Sequence, residues 1–339
     1  MKLNSQKYDF NKGFITIAIG EYYRYLALNL IKTYRLNGGK PYPFAVVSDL
    51  DTPELQKHFD EVILEENILA DGYLYKLKLP EYTPFGETMF VDADCLVIND
   101  ISWYWDFFND VDFGVFGRNT PANSDEPLNF FDVQKAVEEF SITNLPRFNG
   151  GIYNFKQNKE ARNVFETAND LIARYEDLGM PRFTNIKAGV SKMGDEPLFA
   201  LSMAIHNVEA VEDEKKKGMW NINGCKNMSI NIHNKICNYQ KYGEWVYPSL
   251  VHFGTDNTKR YHYQKEALRL AYIESGKANS TFLKARLTLK KAVYILRVQF
   301  FRILLLNPSI DDLTPVHDSS ERRVVRQFHK LGTFFKQKS

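Results

Sequence analysis

Cysteine is scarce and odd in number: Cys95, Cys225 and Cys237 are the only three in 339 residues. An odd count at irregular spacing excludes a disulfide-built scaffold and points to reduced thiols in a cytosolic setting. Net charge is almost absent, with 43 Lys plus Arg against 42 Asp plus Glu, so there is no global basic field for bulk nucleic-acid binding. No stretch reaches the roughly 20 apolar residues that span a bilayer; the nearest, 294–306, is short and broken by Arg297 and Arg302. Met1 to Lys7 is polar and lacks the apolar run of a signal peptide. The expectation is a soluble, cytoplasmic protein, at most peripheral to the inner face of a membrane. Two phosphate-binding signatures are also missing. No Gly-x-Gly-x-x-Gly follows the first apolar run, and no P-loop lysine motif occurs.

What is present is enough chain for a full core and a high aromatic content, 14%. One stretch stands out: Thr88-Met89-Phe90-Val91-Asp92-Ala93-Asp94-Cys95-Leu96-Val97-Ile98. The apolar run reads as a buried strand. Two carboxylates inside such a strand would be costly without a cation or a hydrogen-bond network. The strand is therefore expected to end at about Val91, with Asp92 and Asp94 emerging at its carboxyl end, where open α/β sheets bind ligands. Hard divalent cations take oxygen ligands of this kind and share them with substrate phosphates. A polar turn with solvated aspartates is the plainer alternative for this stretch taken alone.

The flanking pattern predicts an α/β fold. Gly13 to Gly20 reads as a first strand ending in a turn, and Tyr22 to Arg35 as a helix stopped by Asn37-Gly38-Gly39. Tyr42 to Asp49 and Glu61 to Leu64 read as strands separated by a short helix from Pro53, and Tyr73 to Leu79 as helical. This alternation predicts a mostly parallel sheet with helices on both faces. Right-handed crossovers then place the ends of the first and fourth strands at one edge of the sheet. Asp112 to Gly117 reads as a short strand, and 118–147 as a polar, proline-broken excursion with a helix from Asp132 to Phe140. Asn149-Gly150-Gly151 leads into a further strand; by itself the glycine pair reads as a tight turn. Glu160 to Glu176 predicts a helix. Asp195-Glu196-Pro197 reads as an acidic helix entry, its carboxylates serving the helix N-terminus or a sugar. Leu250-Val251-His252-Phe253-Gly254 reads as a strand end with a histidine before a turn; a lone histidine is more often a core or surface residue than a ligand, yet imidazole beside carboxylates suits manganese. The expected division is a catalytic domain over 1–275 and a basic, apolar helical extension over 276–339. Within it, 281–306 carries six Lys or Arg and no acid. Packing on the domain, packing on a partner chain and contact with an anionic membrane all fit that composition.

Taken together, Ala18 to Tyr23, Lys76 before Asp92-Ala93-Asp94, the turn Asn149-Gly150-Gly151, and Asp195-Glu196 with the late His252 resemble the GT-A glycosyltransferases. The nearest are the glycogenin-like and lipopolysaccharide-galactosyltransferase-like families, over about residues 13 to 260. The resemblance implies a GT-A, Rossmann-like fold and transfer of a sugar from a nucleoside diphosphate donor, a UDP-sugar, to a glycan or other hydroxyl acceptor, with retention of configuration. It assigns Mn2+ or Mg2+ to Asp92, Asp94 and His252. It assigns the base and ribose to Ala18, Gly20 and Tyr23, further donor contacts to Lys76, Asn149, Gly150 and Gly151, and a phosphate contact to Lys259. Asp195 and Glu196 would stand near the transferred sugar, where either could instead act as a base in an inverting reaction. Two positions depart from the pattern. Gly20 stands where the family's first strand commonly ends in aspartate, and Arg260-Tyr261 follows Lys259 where a proline-tryptophan pair is usual. Haloacid-dehalogenase-type phosphatases also place Asp-x-Asp after an apolar strand, but in the first strand rather than after three others. A glycosyltransferase-like binding protein without turnover is the third reading.

Overall fold

The computed structural model describes residues 11–69, 71–122, 133–185 and 190–304. It contains two compact units, Met1–Asn221 with Pro248–His252, and Ile222–Tyr247 with Phe253–Ser339.

The first unit is built on β1 (Lys12–Ala18), α1 (Glu21–Asn37), β2 (Phe44–Ser48), α2 (Pro53–His58) and β3 (Glu61–Leu64). A 3-10 turn, Gly72–Lys78, runs into the short α3 (Leu79–Tyr82) ahead of β4 (Glu87–Val91) and β5 (Cys95–Val97). After α4 (Tyr104–Phe107) come β6 (Phe113–Gly114), β7 (Gly117–Pro121), α5 (Gln134–Phe140), β8 (Asn144–Phe148), β9 (Ile152–Lys156) and α6 (Lys159–Asp170). Then follow β10 (Arg182–Asn185), β11 (Val190–Met193), α7 (Asp195–Ile205) and β12 (Met219–Asn221). The central sheet has the order β3-β2-β1-β4-β9-β6. The first four strands pair in parallel, and β9 runs antiparallel between β4 and β6. The expected α/β architecture is present, with β1 and β4 as parallel neighbours whose carboxyl ends share one edge.

Strand alternation sends β1 side chains to two separate cores. Phe14 packs against Tyr34 of α1 and Trp105 of α4, with ring centroids 5.0 and 5.2 Å apart. Its neighbour Ile15 joins the opposite layer, with Phe90, Tyr153, Phe165 of α6 and Phe199 of α7. Helices therefore cover both faces. Gly38 donates to the Tyr34 carbonyl at the end of α1, and Gly39 supplies the left-handed turn at φ +84°.

Several sequence-predicted boundaries shift. The predicted helix over Glu160 to Glu176 is α-helical only through Asp170 and tightens into a 3-10 turn over Leu171–Arg174. The helix placed in the proline-broken excursion begins at Gln134, and 123–132 lies outside the described residues. The same excursion also holds an antiparallel ribbon, β7 on β8, with Asn119 opposite Pro146. Pro121 and Pro146 concealed it, because proline argues against a central strand but is tolerated in a two-stranded ribbon.

In the second unit, β13 (Lys226–Asn231), β14 (Ile236–Lys241) and β15 (Glu244–Val246) form an antiparallel meander. In chain order β16 (Leu250–His252) comes next and returns to the first unit, followed by α8 (Tyr261–Glu274) and α9 (Thr281–Leu304) of the second. The fully buried Glu266 of α8 accepts from the Ile232 amide at 2.9 Å and from Arg269 Nε at 3.1 Å, so its charge is matched. Of the predicted extension, α9 is described and everything after Leu304 lies outside the described residues. Among the described residues no helix is long and apolar enough to cross a membrane.

Candidate active site

The strand carrying the aspartate pair stops at Val91, as its pattern predicts, and the chain turns before restarting at Cys95. Asp92, Ala93 and Asp94 form that turn, closed by the Cys95 amide on the Asp92 carbonyl at 3.0 Å. Three long-range pairings then assemble the site. The antiparallel pairing of β16 with β5 sets His252 opposite Cys95. Pairing of β9 with β4 sets Ile152 opposite Val91, so the Asp92 amide donates to the Gly151 carbonyl at 3.0 Å. The first turn of α7 brings in Asp195 and Glu196.

One carboxylate oxygen from each of Asp92 and Asp94 and one ring nitrogen of His252 lie within 4.8 Å of one another. The Nε2 of His252 is 3.0 Å from Asp94 Oδ1 and 3.6 Å from Asp92 Oδ2. Its other nitrogen, Nδ1, is hydrogen-bonded to Asn149 Oδ1. That second contact fixes the ring with Nε2 toward the carboxylates, the orientation a metal-binding imidazole takes. Two carboxylate oxygens and one imidazole suit manganese, and the two oxygens alone suit magnesium. Burial by itself lowers the His252 pKa, but the Asp94 and Asp92 carboxylates together outweigh it and leave the group raised. A proton on Nε2 and a cation would thus occupy the same place.

Lys76, on the 3-10 turn before α3, is the counter-charge. Its Nζ lies 2.9 Å from Asp92 Oδ2, 3.1 Å from Asp195 Oδ2 and 2.8 Å from the Gly150 carbonyl. Burial alone would discharge it, but Asp195 and then Asp92 outweigh that effect and hold it protonated. Burial pushes the Asp92 carboxyl up to about 6, with Lys76 opposing. Asp195 also accepts from the Tyr153 hydroxyl at 2.6 Å.

The glycine pair serves close approach rather than turn geometry. A Cβ on Gly151 would stand 2.8 Å from His252 Nδ1, and one on Gly150 would stand 2.7 Å from Asp195 Oδ2. Neither residue has a positive φ. Only glycine lets this loop lie against both groups.

Glu196 anchors the loop from the far side, accepting from the Gly150 amide at 2.8 Å and from Asn149 Nδ2 at 3.0 Å. Burial, then the neighbouring Asp195, pushes its carboxyl up to about 7. The protonated form is therefore favoured in the folded state, and between pH 4.5 and 7 the native protein binds more protons at this position than the unfolded chain. Stability falls as pH rises through that window, by at most about 3 kcal/mol. In Glu196→Gln, which keeps the accepting oxygen, this component disappears. Urea unfolding at pH 5 and pH 8 is expected to show a smaller loss for the variant than for the parent; equal losses would place the titration elsewhere.

Ala18, Gly20 and Tyr23 stand at the end of β1 and the start of α1, the strand beside β4. The Gly20 amide donates to Asp49 Oδ1 at 2.9 Å, and the Arg24 guanidinium pairs with the same carboxylate. Burial raises the Asp49 carboxyl, and Gly20 and Arg24 outweigh it, holding it below the usual carboxylate range. The end of the neighbouring strand β2 thus places a carboxylate against the turn that follows β1. Its position at a strand end was the available signal. Tyr73 is a second residue the motif pattern passed over. Its hydroxyl is shifted upward by burial and then by Tyr23, and Lys76, Asp195 and Asp92 also act on it. Lys259 lies on the 3-10 turn Asn257–Lys259 of the second unit.

No family model matches the chain, and neither does any curated protein. Among solved structures it is similar to an active-site mutant of LgtC, at 12% identity and a TM-score of 0.47, over 78% of this chain and 95% of that one. It is also similar to the galactosyltransferase LgtC in complex with donor and acceptor sugar analogs, at 12% identity and TM-score 0.45, over 75% and 95%. A third is the WbbM bifunctional glycosyltransferase, at 11% identity and TM-score 0.47, over 82% and 51%. At this degree of likeness the functional reading belongs to the site residues themselves.

Proposed function

We propose that the chain is a divalent-cation-dependent glycosyltransferase that moves a sugar from a nucleoside diphosphate donor, a UDP-sugar, to a glycan or other hydroxyl acceptor. The observation that carries this reading is the convergence of Asp92, Asp94 and the Asn149-oriented His252 at the carboxyl edge of a mostly parallel sheet. A cation held there supplies positive charge against the diphosphate that departs when the sugar bond breaks.

The chain's own groups prepare that event. Lys76 holds Asp92 in place and balances a site otherwise crowded with carboxylates. Asn149 aims His252, and Glu196 ties the Asn149-Gly150 loop to α7. The turn from Ala18 through Gly20 to Tyr23, with Asp49 behind it, is the proposed seat of base and ribose, and Lys259 the proposed further phosphate contact. Asp195 is 4% exposed and engaged by Lys76 and Tyr153. It therefore acts as a fixed charge beneath the transferred sugar rather than as a base open to an acceptor, which favours retention. Cys95, Cys225 and Cys237 are buried thiols, in keeping with a reducing cytoplasmic setting.

The test is melting temperature against a panel of nucleoside diphosphates, with and without manganese. A ligand that binds only the native state raises the midpoint with its concentration relative to its dissociation constant. One diphosphate, UDP, is expected to raise it only when manganese is present. No shift with any diphosphate in folded protein would overturn the reading.

A further inference from the structure

The three-stranded meander β13-β14-β15 of the second unit has two unlike faces. Strand alternation sends Ile230, Cys237, Tyr239 and Val246 to one side, and all four are buried. The opposite registers carry Ser229 on β13, Ile236, Asn238 and Gln240 on β14, and Trp245 on β15. Ser229 stands opposite Asn238, and Trp245 opposite Gln240. At the bulge in β13, Asn227 donates from Nδ2 to Gln240 Oε1 at 2.8 Å, which fixes the Gln240 amide on this face. Trp245 is 43% exposed, and Tyr247, two residues on, is 51% exposed. Lys241 and Glu244 pair in the inward register, so Lys226, opposite Gln240 at the start of β13, is the one charged residue among the outward strand positions.

Exposed apolar side chains scattered singly need no explanation. Here a tryptophan borders a row of amides almost free of charge, and that combination selects an occupant. Aromatic rings supply rigid, amphipathic contact area, and Asn, Gln and Ser supply donors and acceptors side by side. A sugar ring is the complement, with an apolar C–H face bounded by neutral hydroxyls that both donate and accept. Nucleic acid or an anionic membrane would call for a cluster of cations. A protein partner, a second copy included, would need more room. Strands of six residues are about 20 Å long, and three of them span about 10 Å. The face therefore offers about 200 Å², against about 800 Å² per partner in a stable protein interface. One extended sugar chain fits that width.

We propose that the outward face of the β13-β14-β15 meander binds a neutral glycan, Trp245 stacking on a sugar ring while Asn238 and Gln240 bond its hydroxyls. This site lies wholly within the second unit and stands independently of the reaction suggested above. It is tested with the full chain, without nucleotide or manganese, by calorimetric titration with maltohexaose, cellohexaose, chitohexaose and mannohexaose. At least one of these is expected to bind with a Kd of about 1 mM or tighter. The affinity should not change as salt rises from about 0.1 M to about 0.5 M, because the ligand is uncharged. Trp245→Ala is expected to weaken binding at least about tenfold while keeping a cooperative thermal transition. Asn238→Ala/Gln240→Ala is expected to weaken it as well, which keeps the test open should the tryptophan variant misfold. Absence of binding to every member of the panel, binding that salt abolishes, or full binding by either folded variant would overturn the proposal. So would a concentration-dependent dimer that Trp245→Ala abolishes, which would assign the face to a second copy.

Discussion

Asp94→Asn is expected to remove the manganese-dependent part of the diphosphate-induced rise in melting temperature and to abolish sugar transfer. Asn keeps the shape but replaces an anionic ligand by a neutral one that bears a donor, and the Asp94 carboxylate is one of the two oxygens that converge with His252 Nε2. Even the loss of a group that merely orients a ligand costs about 10- to 100-fold in metal affinity, so loss of a ligand should exceed about a hundredfold. The variant should remain folded, because it replaces one of several crowded carboxylates rather than their counter-charge. Two readouts separate the outcomes: the cation-dependent melting shift, and turnover of the donor. If both survive in Asp94→Asn, the cluster is not where the cation acts.

Lys76→Met is expected to destabilise the protein by about 3–5 kcal/mol in urea unfolding at neutral pH. The Lys76 side chain is 8% exposed and its ammonium meets two carboxylates. Removing it leaves Asp92 and Asp195 buried without compensation, which costs more than the pair contributed when intact. The pH dependence follows in sign. The Asp92 carboxyl is already raised by burial with Lys76 opposing, so without the ammonium it rises further and the folded variant holds a proton there that the unfolded chain releases. The destabilisation should therefore shrink as pH falls toward 5 and grow as it rises toward 8. Adding Asp195→Asn should recover part of the loss. A Lys76→Met protein as stable as its parent at pH 8 would show that the ammonium is not the counter-charge of this site.

Much of the scaffold is legible in residue order alone, because the responsible interactions are short-range. The run from Glu87 to Val91 is uniformly buried, and the two carboxylates that follow cannot continue it. The strand end, and with it the place of Asp92 and Asp94, could therefore be read directly. The stop of α1 at Gly38-Gly39 and the acidic entry to α7 are equally local.

What residue order left open are the pairings between distant segments. Lys76 and the Gly150 carbonyl are 74 residues apart, and His252 and Asn149 are 103 apart. Their contacts depend on the antiparallel register of β9 on β4 and of β16 on β5, which is settled only when the sheet forms. The glycine pair shows the same limit. Read locally it is a turn, and only the packed structure reveals that a side chain there would strike His252 or Asp195. In α9 the charges and apolar residues do not resolve into a single stripe, and only the packed structure shows that Leu283 is buried and Tyr294 stacks on Tyr261 of α8 while Leu289, Val293 and Leu296 are exposed. Local sequence determined many of the elements of the first unit and the end of the strand that carries the aspartate pair. Tertiary structure alone decided which charge meets which, because the pairing energy of buried groups comes from neighbours that the chain order does not place side by side.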